Sequence, residues 1–318
     1  MKALLKIITV RIGFALPTLL IVATLTFFGM ALQPGDPAQA LLGRDAAPES
    51  LAALRLELHL NEPIQVRYFT WLNDTLHGRL GTSFANKRDV VELIASRIGN
   101  TLFLAAFAAV LSIPFSLIIG VLTAHFRNSI FDRIVNIVSL SFVSFPEYFI
   151  GYIFIVIFAI KLRIFPSLAQ IDPDSGFLSR VYQTFLPALT LSLAMSSHIM
   201  RLTRASVLNV VSSPFVEMAK LKGLSPLRVV VTHVLPNSLG PIINVVVLNL
   251  AYLVVGVVVV EVVFVYPGLG QLFVDAAAQR DFPVVQSITL LFAATYIGLN
   301  LIADVLAIAT NPKLLHAR

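Results

Sequence analysis

TLFLAAFAAVLSIPFSLIIGVLTA, residues 101–124, contains no charged side chain. A helix over this stretch is about 36 Å long at 1.5 Å per residue, enough to cross a hydrocarbon core of about 30 Å. Five further apolar blocks of comparable reach occupy residues 10–32, 134–160, 185–202, 242–263 and 284–309. The chain therefore reads as an all-α polytopic membrane protein of six transmembrane helices. Its composition agrees: of 318 residues 57% are hydrophobic and 13% charged, with a mean hydropathy of +0.87. Soluble domains carry roughly a quarter charged residues.

The formal charge of +6 does not indicate nucleic acid, because the basic residues are scattered between apolar spans and form no stripe with interleaved aromatics. Cysteine is absent, which removes disulfides, thiolate metal sites and cysteine nucleophiles. Lys2, Lys6 and Arg11 precede the first apolar run, and Ala38-Gln39-Ala40 resembles a peptidase site. The run is longer than the roughly 7–15 residues of a signal core, and the small-residue triplet lies beyond its end, so it reads as a retained first helix.

Six spans put both termini on one side. The short segments on that side carry Lys2, Lys6, Arg11, Arg127, Arg133, Arg201, Arg204, Lys220, Lys222, Arg228, Lys313 and Arg318, against Lys161, Arg163, Arg180 and Arg280 opposite. The excess of basic residues predicts cytoplasmic termini and places the 33–100 segment outside. In that segment Pro48 opens a short helix running to Leu60, and Pro63 precedes another over 66–76. Pro114, Pro146, Pro187 and Pro241 lie in or at the ends of spans, where burial within a bundle tolerates the backbone groups they free.

Between the fourth and fifth spans the chain reads SSPFVEMAKLKGLSPLRVVVTHVLP, residues 212–236. Ser213-Pro214 is an N-cap followed by a first helical position, and Gly223 is a helix stop, which predicts a short helix over 214–222. Ser225-Pro226 repeats the start signal. Phe215, Met218 and Leu221 give the first helix an apolar side too small to fold alone, so the loop is expected to dock another subunit.

The spacing of Glu217, Ala219, Gly223, Leu235 and Pro236 resembles the EAA loop of ABC importer permeases. Met218 stands where a second small residue is usual, and His233 where an apolar one is. Pro34-Gly35-Asp36-Pro37, Leu58-His59-Leu60-Asn61-Glu62-Pro63, Tyr266-Pro267-Gly268-Leu269-Gly270, Arg280-Asp281-Phe282-Pro283 and Asn311-Pro312 extend the resemblance from end to end, to the dipeptide, oligopeptide and nickel permease family. That resemblance implies a type I importer (MetI-like) fold. Residues 1–32 would be the cytoplasmic N-terminus and first helix, 33–100 a small helical periplasmic insertion, 101–310 a five-helix core with coupling loop 205–236, and 311–318 a cytoplasmic tail.

The resemblance further implies an inner-membrane location, a second homologous permease subunit, two ABC ATPase subunits and an extracytoplasmic substrate-binding protein. Membrane lipid surrounds the chain, and no nucleic acid is involved. Peptide is the expected cargo, with nickel or another small solute as the alternative. The chain itself carries no phosphate-cradling Gly-x-x-x-x-Gly-Lys-Ser/Thr loop, so ATP and Mg are expected on the partner ATPases and no cofactor or catalytic residue here.

Glu147, Glu261 and Asp304 fall in or at the ends of spans, where a charge at the bilayer centre costs at least about 2.5–3.5 kcal/mol unless it faces protein or water. Glu261, with Asn249 about three turns deeper, and Glu147 are the candidate pathway residues; helix-end and helix-bracing roles compete for Glu147 and Asp304. The six histidines show no ligand-like pairing, which argues against a protein-built metal site. A secondary transporter would show inverted repeats and paired broken helices, and no such symmetry is visible. An intramembrane hydrolase lacks both a nucleophile elbow and a His-Glu-x-x-His helix.

Overall fold

The computed structural model describes residues 2–310 except 44, 173 and 174. Asn311-Pro312 and the expected 311–318 tail lie outside the described residues. Regular structure among the described residues is helical, with one isolated bridge between Thr82 and Asp89. In chain order the helices are α1 (Lys2–Ala31), α2 (Pro37–Leu42), α3 (Pro48–Glu57), α4 (Ile64–Leu76), α5 (Val90–His125), α6 (Ile130–Ser144) and α7 (Glu147–Phe154), followed by α8 (Phe177–Val211), α9 (Pro214–Leu221), α10 (Pro226–Val229), α11 (Leu235–Val263), α12 (Leu269–Ala278) and α13 (Phe282–Thr310). Two π-helical turns, Ile155–Lys161 and Val230–Val234, extend α7 and join α10 to α11.

α1, α5, α13 and the segment Val230–Val254, which runs from the second π-helical turn into α11, are each long and apolar enough to cross a membrane, and α6 with α7 and its π-helical extension makes a fifth span if the bent pair counts as one. The expectation of one continuous span over 134–160 is corrected: the pair bends by 104°. Pro146 is the cause, since its ring excludes the residue before it from the α region. Phe145 accordingly sits at φ −91°, ψ 135°, and α7 restarts directly after Pro146.

The fourth expected span lies within α8, whose 35 residues are more than long enough but whose hydropathy is diluted by Ser, Thr, His198 and Arg201. Burial explains the dilution. Leu186, Leu191, Met195 and Ile199 of α8 are buried in one cluster with Leu104 and with Leu253, Val257 and Val260 of α11. The hydroxyls are absorbed locally: Thr190 donates to the Leu186 carbonyl at 2.9 Å, and Ser192 to the carbonyls of Ala188 and, at 3.1 Å, Ala108. Such a helix faces protein and does not need a lipid-compatible surface.

The contacts divide the chain into two units. One comprises residues 1–11, 103–266 and 296–318, and within it α8 packs against α6, α7 and α11. Arg11 pairs with Asp304 at 3.1 Å in the same unit, which assigns that membrane-end carboxylate a bracing partner. Lipid- or partner-facing side chains such as Val110 and Ile118 remain exposed, as expected for apolar surface outside water.

The other unit comprises residues 12–102 and 267–295. Met30, Val90, Leu93, Ala276, Phe282, Val285 and Ile288 form its core. Phe27, Tyr68 and Trp71 cluster beside Phe28, with Phe27 5.3 Å from Tyr68 and 5.4 Å from Trp71 between ring centres. The short helices expected outside are α3 and α4. Asp36 caps α2 through the Ala38 amide at 3.1 Å and pairs with Arg55 at 2.8 Å. Arg280 donates to the Pro34 carbonyl at 2.6 Å, so two of the motifs separated in sequence meet here.

Asp281 is buried and accepts from the Ser83 hydroxyl and from the amides of Phe84, at 3.0 Å, and Ala85, at 3.3 Å. One carboxylate thus fixes the loop that precedes α5. Each donor left buried without its partner costs about 1–3 kcal/mol. Asp281→Ala should therefore destabilise this unit by at least that much, read as faster proteolysis within residues 81–88 of the purified protein; unchanged protection would show that the carboxylate does not hold the loop.

Candidate functional site

α9 begins as its residues dictate. Ser213 holds the extended N-cap conformation, φ −78°, ψ 148°, and Pro214 takes the first helical position. The expected side-chain cap is absent, because the Ser213 hydroxyl turns back to donate to the Val210 carbonyl. At the other end Gly223 adopts φ +76°, a conformation that costs a residue with Cβ about 1–2 kcal/mol. Its amide donates to the Lys220 carbonyl at 2.9 Å and that of Leu224 to Ala219 at 3.4 Å, the paired bonds of a Schellman turn.

α9 has two apolar sides. Val216 and Ala219 are buried with Ala124, Val207, Val229, Val234 and Ile242 in a cluster that seats the helix on its own unit. Phe215, Met218 and Leu221 point away from that cluster and are 47%, 55% and 77% exposed. Glu217 and Lys220 are exposed as well. The spacing of three residues between successive members of the outer set makes one stripe. Met218, bulkier than the residue usual at its position, is therefore on the outward side, where it does not disturb the buried seat.

Beyond the turn the chain stays helical from Pro226 to Val263, with a π-helical turn over 230–234 just before Pro236. Pro236 has no amide to give and crowds the preceding turn, and a local widening accommodates both defects. Asn237 returns a donor to the His233 carbonyl at 2.7 Å. His233 and Leu235 are half-buried and Pro236 is exposed, while Val234 between them is fully buried and supplies the apolar anchor.

The bend between α6 and α7 opens on a cavity of about 440 Å³ against α8 and α11. Glu147 lines it, with His198 of α8 and Tyr252 and Gly256 of α11. His198 and Tyr252 lie 6.4 Å apart between ring centres. A Cβ on Gly256 would come within 3.1 and 3.3 Å of the two Glu147 carboxylate oxygens, so the glycine is what lets the carboxylate lie against α11. Asn249 and Glu261 are not brought to this cavity. Asn249 donates back to the Val245 carbonyl at 2.8 Å, and Glu261 is fully buried beside Tyr266.

Sequence reasoning missed a second polar cluster. Asp132, at the start of α6, takes a two-pronged ion pair from Arg204 of α8, with both nitrogen–oxygen distances 2.9 Å. Asn128 and Asn136 donate to the same carboxylate, at 3.0 and 2.7 Å. The pair binds residues 72 apart. Both residues flank apolar spans as ordinary boundary charges, so nothing local in the sequence marks them as partners.

The chain matches the family described as "Binding-protein-dependent transport system inner membrane component" over residues 116–316, and the corresponding N-terminal family over residues 4–105. It is 37% identical over 299 residues to a glutathione transport system permease protein of Salmonella typhimurium, covering 94% of this chain and 95% of that protein. Putative peptide transport system permease proteins of Brucella abortus and Brucella suis are 35% identical over 303 residues, covering 95% of this chain and 96% of theirs.

Removing one member of a buried ion pair leaves a charge without its partner, at about 3–5 kcal/mol. The Asp132 side chain is 5% exposed but that of Arg204 is 25%, so Asp132→Ala, which strands the more exposed arginine, falls towards the lower end of that range. Asp132→Ala and Arg204→Ala should each lower the thermal unfolding midpoint of the detergent-solubilised protein. The double substitution should lose less than the sum of the two; strict additivity would show that the pair does not couple α6 to α8.

Proposed function

Because this chain belongs to the binding-protein-dependent transport system inner membrane components, the permease subunits of ABC importers, we propose that it forms half of a peptide pathway and that α9 is where ATPase subunits drive it. The chain is a multi-pass inner-membrane protein and a transport subunit, and ATP hydrolysis belongs to partner ATPases. The further assembly is part of the proposal: a second homologous permease, two ATPase subunits holding ATP and Mg, an external binding protein, and both termini in the cytoplasm. The excess of basic residues beside the terminal side of the spans supports that orientation.

The observation that carries the proposal is the double-sided α9. Its inner side is fixed in the unit's own core by Val216 and Ala219, and its outer stripe of Phe215, Met218 and Leu221 is left for a partner. A push on the stripe cannot be absorbed by α9 sliding freely over its seat. It passes into α8, against which α9 packs, and through Gly223 into the helical run that becomes α11. α11 carries Tyr252 and Gly256, about 26 and 32 Å from Leu235 at 1.5 Å per residue. Closure of the ATPases would thereby tilt a wall of the Glu147 cavity, a rigid-body switch.

Peptide as the cargo rests on the named functions of the relatives and on the end-to-end motif resemblance. Trialanine uptake by proteoliposomes holding the complete importer tests it; uptake of Ni²⁺ and not of trialanine would favour the alternative.

Met218→Asp and Leu221→Asp alter exposed side chains and leave the seat intact. Each should abolish co-purification of the ATPase subunits and reduce uptake more than about tenfold, with membrane insertion preserved. Gly223→Pro should keep the ATPases bound but uncouple hydrolysis from uptake, as should loss of the Glu217 carboxylate. Unchanged assembly and uptake in Gly223→Pro would remove α9 from the coupling role.

A further inference from the structure

Glu147 is the sole carboxylate on the wall of the cavity at the α6–α7 bend, and neither Lys nor Arg lines that cavity. Aromatic side chains surround it: Phe142, Phe145, Tyr148 and Tyr252. Among the described residues none donates a hydrogen bond to the Glu147 carboxylate. The carboxyl group is therefore held in an aromatic-lined space with neither lysine nor arginine on its wall, and His198 is the one basic side chain there. A carboxylate within a membrane span is retained against its desolvation cost only where a partner or water faces it. The close fit against Gly256 shows that the fold makes room for it there.

We infer that this cavity is a cation subsite on the translocation path, in which Glu147 is the counter-ion for a protonated amine of the cargo and the surrounding ring faces hold its carbon frame. A primary ammonium matches both features: it donates three hydrogen bonds to a carboxylate, and it is attracted to the negative faces of aromatic rings. A free amino terminus is the amine that unmodified peptides of every sequence share. The inference rests on the pathway reading above and names the chemistry that the pathway selects. It also separates Glu147 from Asp132 and Asp304, whose carboxylates already have arginine partners.

The chain has no cysteine, so Ser144→Cys introduces a single thiol at the cavity wall. The test measures its modification by aminoethyl methanethiosulfonate, a cation, and sulfonatoethyl methanethiosulfonate, an anion. It uses the complete importer in lipid nanodiscs, with both rates normalised to those of free cysteine. The cation should react about tenfold or more faster than the anion, the scale of a focused local potential. In the Ser144→Cys, Glu147→Gln background the ratio should fall to about one. A ratio unmoved by Glu147→Gln, or no reaction with either reagent, would overturn the subsite.

A second arm reads cargo. Trialanine uptake should fall about tenfold or more in Glu147→Gln and recover in part in Glu147→Asp. Undiminished uptake in Glu147→Gln would overturn the inference, as would failure of that variant to assemble, since the carboxylate would then be structural. If the wild-type importer carries no peptide, the cargo reading fails, while the thiol ratio still decides whether the cavity selects cations.

Discussion

Hydrocarbon forms no hydrogen bonds, and the architecture follows from that constraint. Each backbone donor and acceptor in a span must be satisfied within the chain, so the spans are helices. Polar side chains inside them obey the same condition. The Ser and Thr hydroxyls of α8 return to carbonyls one turn back or cross to a neighbouring helix, and Asn249 does likewise. The α6–α7 span, where Pro146 forces the backbone out of the helix, is broken beside a cavity. Irregular backbone at membrane depth is tolerated in such a place, because protein or water can face it.

The same reasoning makes α8 the mechanical centre of its unit. It is buried along most of its length, with α6, α7 and α11 against it. Its C-terminal half holds the Arg204 that binds Asp132, and α9 follows directly after it. An eight-residue helix has too few internal bonds to persist alone in water, so α9 depends on its seat of Val216 and Ala219. That dependence suits a coupling element: a helix whose inner face is locked to the bundle transmits displacement, whereas a free one would merely unravel.

Much of the local architecture was legible. Pro48, Pro63, Pro214 and Pro226 start helices or immediately precede them, and Gly223 ends one, because those residues act through backbone geometry that neighbours cannot override. Long uncharged stretches likewise dictate helices wherever they meet lipid. The status of α8 was less legible. Its serines and threonines depress the hydropathy by which spans are recognised, and only the packing that satisfies their hydroxyls reconciles them with the bundle.

The polar site divides along the same line. By itself the sequence determined the membrane class, the short helix that Pro214 starts and Gly223 ends, and the presence of rare polar groups in apolar spans, whereas residues 134–160 read as one span until the structure showed the break at Pro146. At that level Glu147, Asn249 and Glu261 are all candidates for the pathway, with a helix-end role competing for Glu147. Tertiary structure alone decided that Glu147 lines a cavity, that Asn249 bonds along its own helix and that Glu261 is enclosed. It also decided that Asp132 meets Arg204 across 72 residues. The physical reason is directional. Hydropathy records how much of a helix is apolar, while the role of one polar side chain depends on which neighbouring helix its face meets, and that is set by packing between segments distant in the chain.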